Sequence, residues 1–89
     1  ADDPHIFFYA GDVEALLRRW DRAIYRFSQS ITVDPSFTLG HLNLGLALLR
    51  ENRFVEARAA LERAKALGTH DGDVVRALSY LARLEKGSN

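Results

Sequence analysis

The chain has 89 residues, 12 basic and 12 acidic, and a formal net charge of zero. That suits one domain with a modest core and supplies no long-range field toward nucleic acid or an anionic membrane. Cysteine and methionine are absent, so there is neither a disulfide framework nor a thiol site, and the redox compartment stays open. The longest uncharged run, Pro35 to Leu49, contains Gly, His, Asn, Ser and Thr and is too short to span a bilayer.

In chain order, Ala1 to Asp3 is a short acidic lead-in, and Asp3-Pro4 reads as an N-cap followed by proline at the first helical position, where no N–H is needed. The spacing predicts a first helix from Pro4 to about Leu17. Arg18-Arg19 is a weak turn, with no Gly, Asn or Asp, so one continuous helix from Asp12 to Val33 is an alternative. Otherwise Trp20 to Val33 is the second helix, with Trp20, Ala23, Ile24, Phe27 and Ile31 on its inner side. Asp34-Pro35-Ser36 ends it, because proline cannot continue a helix, and Ser36 is suited to cap the next.

The third helix, Thr38 to Arg50, is small and apolar nearly all round. Glu51-Asn52-Arg53 interrupts it, and Asn52 is suited to cap a fourth helix, Phe54 to Leu67, whose Phe54, Ala57, Leu61 and Ala64 fall on one stripe. Gly68 stands where a left-handed C-terminal residue is wanted, and Asp71 is suited to cap a fifth helix from about Gly72 to Glu85. The last four residues, Lys86 to Asn89, read as frayed.

Moving the central hairpin back by thirty-four residues places Gly11 on Gly45, Trp20 on Phe54, Ala23 on Ala57, Phe27 on Leu61 and Ser30 on Ala64. Moving it forward places Val75, Leu78 and Ser79 on His41, Leu44 and Gly45. Small residues fall on small ones and large on large, as close crossing of paired helices at ~8 to 10 Å requires. With LNLG at 42 to 45, RFVEA at 53 to 57 and VDP at 33 to 35, the sequence resembles the tetratricopeptide repeat family over nearly its whole length.

The resemblance implies an all-α, right-handed superhelical array of antiparallel helix-turn-helix hairpins with five helices. It divides the single domain, 1–89, into repeats at about 4–37 and 38–71 and a capping helix at about 72–85. Ala10 and Glu14 depart from the pattern, standing where the next repeat has Leu44 and Leu48. Two and a half repeats are marginal, since about three are normally needed for stability. Without a starting methionine the sequence reads as a processed chain or a piece of a longer one, so the missing neighbours come from a parent protein or from a second copy.

In that family the first helix of each hairpin lines a concave surface, which here implies His5, Phe8 and Asp12, then Leu39, Leu42, Leu46 and Leu49, then Asp73, Arg76, Tyr80 and Arg83. The four leucines share one stripe, while Leu44 and Leu48 face the partner helix, so the third helix is apolar on both sides and both should be covered. Three readings stay open: a groove for a peptide or helix, internal packing of a tight superhelix, and a homodimer closing leucine on leucine. Under the first, Leu42→Asp or Leu46→Asp abolishes binding and leaves helicity largely intact. Arg76, Tyr80 and Arg83 would favour a ligand with acidic residues beside apolar ones, or are a solvated face with Asp73 and Glu85 as partners. The chaperone-tail clamp of some family members is not implied: Asn43 matches one position, but Phe8, Asp12, Asp73 and Ala77 hold the other four.

Arg18, Arg19, Arg22 and Arg26, interleaved with Trp20 and Tyr25, read as the outer face of the second helix rather than a phosphate track. His5, His41 and His70 lie on different elements without metal-ligand spacing, and His41 occupies a packing position. There is no phosphate loop, nucleophile elbow or paired carboxylate in an apolar setting. The expectation is therefore a protein-interaction module rather than an enzyme, with no cofactor, no nucleic acid and no membrane insertion. Its partner-binding residues would be Phe8, Leu39, Leu42, Asn43, Leu46, Leu49, Arg76, Tyr80 and Arg83; the alternative is a self-assembly module using the same leucine face.

Overall fold

The computed structural model describes residues 3–87. Among them five α-helices follow one another, α1 (Pro4–Leu16), α2 (Trp20–Val33), α3 (Thr38–Arg50), α4 (Phe54–Leu67) and α5 (Asp71–Gly87), with no strand. The first begins as its sequence dictates. Asp3 is extended and its carboxylate accepts the His5 backbone N–H at 2.9 Å, while Pro4 opens the helix.

The chain does break between α1 and α2, so the continuous rod from Asp12 to Val33 is excluded. Arg18 takes a left-handed conformation, φ 59°, the Arg18 N–H bonds to Ala15 O at 3.0 Å and the Arg19 N–H reaches back to Glu14 O at 2.9 Å. The same turn recurs one period later, with Asn52 at φ 56° and the N–H groups of Asn52 and Arg53 bonded to Leu49 O and Leu48 O, both at 3.0 Å. Both are Schellman-type closures, which satisfy the last helical carbonyls at the cost of one left-handed residue, about 1 to 2 kcal/mol for a non-glycine. Asn52 therefore closes α3 and does not cap α4. Arg53 precedes α4 without a side-chain cap and pairs instead with Glu56 through Nε and a terminal nitrogen, at 3.0 and 2.7 Å.

Ser36 is likewise no cap. Its N–H and hydroxyl both donate to Asp34 Oδ1, at 3.0 and 2.7 Å, tightening the turn, and Phe37 leads into α3. Gly68 is left-handed at φ 77° and ends α4 as expected. The fifth helix begins at Asp71 itself, after a left-handed His70, and runs to Gly87, so Lys86 and Gly87 are helical rather than frayed. Ala1, Asp2, Ser88 and Asn89 lie outside the described residues.

The helices pack in order as a hairpin array: α1 on α2, α2 on α3, α3 on α4 and α4 on α5, with α3 also touching α5. Two glycines set the closeness of the hairpins. A methyl built on Gly11 would sit 2.5 Å from the Phe27 ring, and one on Gly45 would sit 2.6 Å from Leu61. Each first helix thus offers a socket that a large side chain of its partner fills. Gly40 does the same between hairpins, 2.7 Å from both Ile31 Cγ2 and Ser30 Oγ. Phe8, Ala23, Phe27 and Ala47 form one buried cluster, and a second gathers around Leu42, Leu49, Leu61, Val74 and Leu81. Ile24, Leu39 and Leu44 touch both and join them into one core.

Glu14, which replaces the buried leucine of the second repeat, lies mostly covered, 3.6 Å from Arg19 and 4.0 Å from Arg22. The departure from the repeat pattern is thus ion-paired with one arginine in the turn before α2 and one on α2, although Glu14 Oε2 is buried without a hydrogen bond.

Candidate functional site, an apolar groove

Alternate helices of the array, α1, α3 and α5, together wall a groove of about 520 Å³. Phe8 comes from α1, Leu39, Leu42, Asn43 and Leu46 from α3, and Asp73, Arg76, Ala77 and Tyr80 from α5. At Asn43, Leu46 and Tyr80 the groove runs into a recess of about 240 Å³ that reaches Asp12, Trp20, Phe27 and Arg50. Seven of the nine residues expected from the sequence therefore converge: Phe8, Leu39, Leu42, Asn43, Leu46, Arg76 and Tyr80.

The leucine stripe is not uniform. Leu42 is only 5% exposed and forms a closed floor, Leu39 is half-buried, and Leu46 is 38% exposed at the lip. Leu49, by contrast, is a core residue that does not line the groove. Arg83 also lies outside the lining, with its guanidinium 6.0 Å from the Tyr80 ring. His5 turns toward Phe37, ring centroids 4.8 Å apart, rather than toward the groove. A pairing absent from the sequence reading closes the far end: Arg50 stacks 5.4 Å over Trp20. It joins different hairpins, and no local spacing signals such a contact.

Polar chemistry in the groove centres on Asn43, whose Nδ2 donates to Asp12 Oδ1 at 3.0 Å, tying α3 to α1. Burial pushes the Asp12 carboxyl above its ordinary value, and the bond from Asn43 offsets only part of that. A folded-state pKa above the unfolded one means that the ionised carboxylate costs stability at neutral pH, and the cost fades as pH falls through the folded pKa. Asp12→Asn keeps an acceptor for Asn43 and removes the charge. Its melting temperature is expected to exceed the parent's modestly at pH 7, with the difference vanishing near pH 3; thermal melts at both values check this.

On the rim Arg76 pairs with Asp73. His41 is buried among helices with Nε2 at 2.9 Å from Pro35 O, consistent with a packing histidine. Among the described residues no three His, Cys, Asp or Glu side chains cluster as metal ligands, and no helix is long and apolar enough to cross a membrane. No protein-family model matches the chain, and no curated protein matches it.

Proposed function

We propose that the chain is a protein-interaction module of the tetratricopeptide type, which accepts a helical or extended segment of another protein in the groove walled by α1, α3 and α5. The thirty-four-residue period and the two glycine sockets support the family reading. The observation that carries the functional one is the half-open apolar lip. Leu46 and Tyr80, 38% and 37% exposed, stand on opposite walls above the closed floor made by Leu42. An apolar side chain inserted between them would lose water from both walls at once, and Asn43 at the bottom fixes orientation. Arg76 on the α5 wall favours a segment that carries carboxylates beside its apolar anchors. Binding here rests on shape and apolar contact, with no catalytic step and no cofactor.

The test is a selection of displayed peptides against the chain, followed by nuclear magnetic resonance mapping of a selected peptide. Shifts are expected at Phe8, Leu39, Leu46 and Tyr80, and Leu46→Asp should abolish binding while circular dichroism stays helical. A footprint elsewhere would remove the groove from the function. A dimer closing leucine on leucine draws no support, because Leu42 and Leu49 are already buried within one chain.

A further inference from the structure

Asp12 of α1, Leu46 of α3 and Tyr80 of α5 stand thirty-four places apart, the same position in successive repeats, and all three line the recess of about 240 Å³ beside the groove. Ala15, Trp20, Phe27 and Ala47 add to its apolar wall. One of the three equivalent positions is therefore a carboxylate where the other two are apolar or aromatic.

That carboxylate has no counter-charge. Asn43 Nδ2 donates to Asp12 Oδ1 at 3.0 Å, and among the described residues Oδ2 has no hydrogen-bond donor and neither oxygen makes an ion pair. The guanidinium in the recess, that of Arg50, lies 5.4 Å over the Trp20 ring and belongs to an exposed residue, so its charge keeps its water. Asp12 is half-buried, and its loss of water pushes the carboxyl up against only a neutral hydrogen bond. The charge left short of compensation is thus the negative one. An apolar side chain filling the recess would strip further water from it, and an acidic one would add a like charge. A lysine or arginine side chain does neither: its methylene stem suits the apolar wall and its head supplies the missing cation.

We propose that the recess is a subsite for one lysine or arginine side chain of the bound segment, with the cation on Asp12 and the stem against Leu46 and Tyr80. This rests on the groove reading and sharpens it. Arg76 lines the groove and not the recess, so the segment carries its basic residue at the Asp12 end and its carboxylates toward Arg76. Charge then fixes the direction in which the segment lies.

Two measurements test it. The first titrates the 89-residue chain with n-butylammonium, using n-butanol as the neutral control, and follows the spectrum by nuclear magnetic resonance. The cation should shift the Ala15 and Ala47 methyls and the Trp20 indole N–H at concentrations where butanol does not. That advantage should disappear in Asp12→Asn, which keeps an acceptor for Asn43. The second takes a peptide selected for the groove and replaces its basic residue with norleucine, on the parent and on Asp12→Asn. Each change alone should weaken binding about tenfold or more, and the two together little further. Butylammonium that moves nothing beyond what butanol moves, or that acts equally on Asp12→Asn, overturns the proposal. So does a peptide with its footprint at Leu46 and Tyr80 that carries no basic residue, or whose two changes add independently; the groove reading then stands without the subsite. A selection that yields no groove binder, or a footprint elsewhere, removes the groove reading and the subsite with it.

Discussion

Replacing Phe27 with alanine is expected to lower the free energy of unfolding by about 3 to 5 kcal/mol. A domain of this length holds roughly 4 to 13 kcal/mol in all, so the loss is a large share of its stability. Phe27 is 1% exposed, packs against Phe8 with ring centroids 5.8 Å apart, and fills the socket at Gly11. The socket makes a sharper prediction possible. Gly11→Ala in the parent chain places a methyl 2.5 Å from the ring, an overlap that costs roughly 1 to 3 kcal/mol and outweighs the 0.5 to 1 kcal/mol that alanine gains over glycine in a helix. In the Phe27→Ala background the ring is gone and only the helical gain remains. The sign of Gly11→Ala should therefore reverse between the two backgrounds, as urea denaturation of all four chains would show. Simple additivity would mean that the helices do not meet there as described.

Leu42→Asp and Leu46→Asp, four residues apart on one helix, are expected to part company. Leu42 is 5% exposed within the core that joins α3, α4 and α5, and a carboxylate there has no cation to pair with among the side chains of that cluster. Several kcal/mol of desolvation cost, added to the lost packing, should leave Leu42→Asp largely unfolded. Leu46 stands at the lip, 38% exposed, where an aspartate stays hydrated and the change should cost under about 1 kcal/mol. Far-ultraviolet circular dichroism and melting temperature separate the two outcomes. The sequence expectation, that either substitution spares the fold, is thereby corrected for Leu42.

What the residues alone made legible was whatever repeats at helical spacing or at thirty-four residues. The five helices, the glycine sockets of Gly11 and Gly45, and the end of α4 at Gly68 follow from periodicity and from steric limits on backbone and Cβ, which act within one hairpin. Most of the groove set was legible for the same reason, since a periodic position keeps its side of the array. Turn chemistry was less so. Asn52 and Ser36 are good caps by composition, yet the chain uses Asn52 for a left-handed closure and ties Ser36 to Asp34. At Arg18 the packing of α1 on α2 imposes a conformation that arginine does not favour.

Within one stripe the sequence could not rank Leu39, Leu42, Leu46 and Leu49, because all four are the same residue in the same helical phase. Only the tertiary structure did so, through α5, which touches α3 and whose Val74, Ala77 and Leu81 share a buried cluster with Leu42, while Leu46 stays 38% exposed. The Asp12–Asn43 bond and the Arg50–Trp20 stack were settled in the same way. Helical phase is a property of neighbours along the chain and is written in it; burial depends on which distant helix arrives, and how far it reaches.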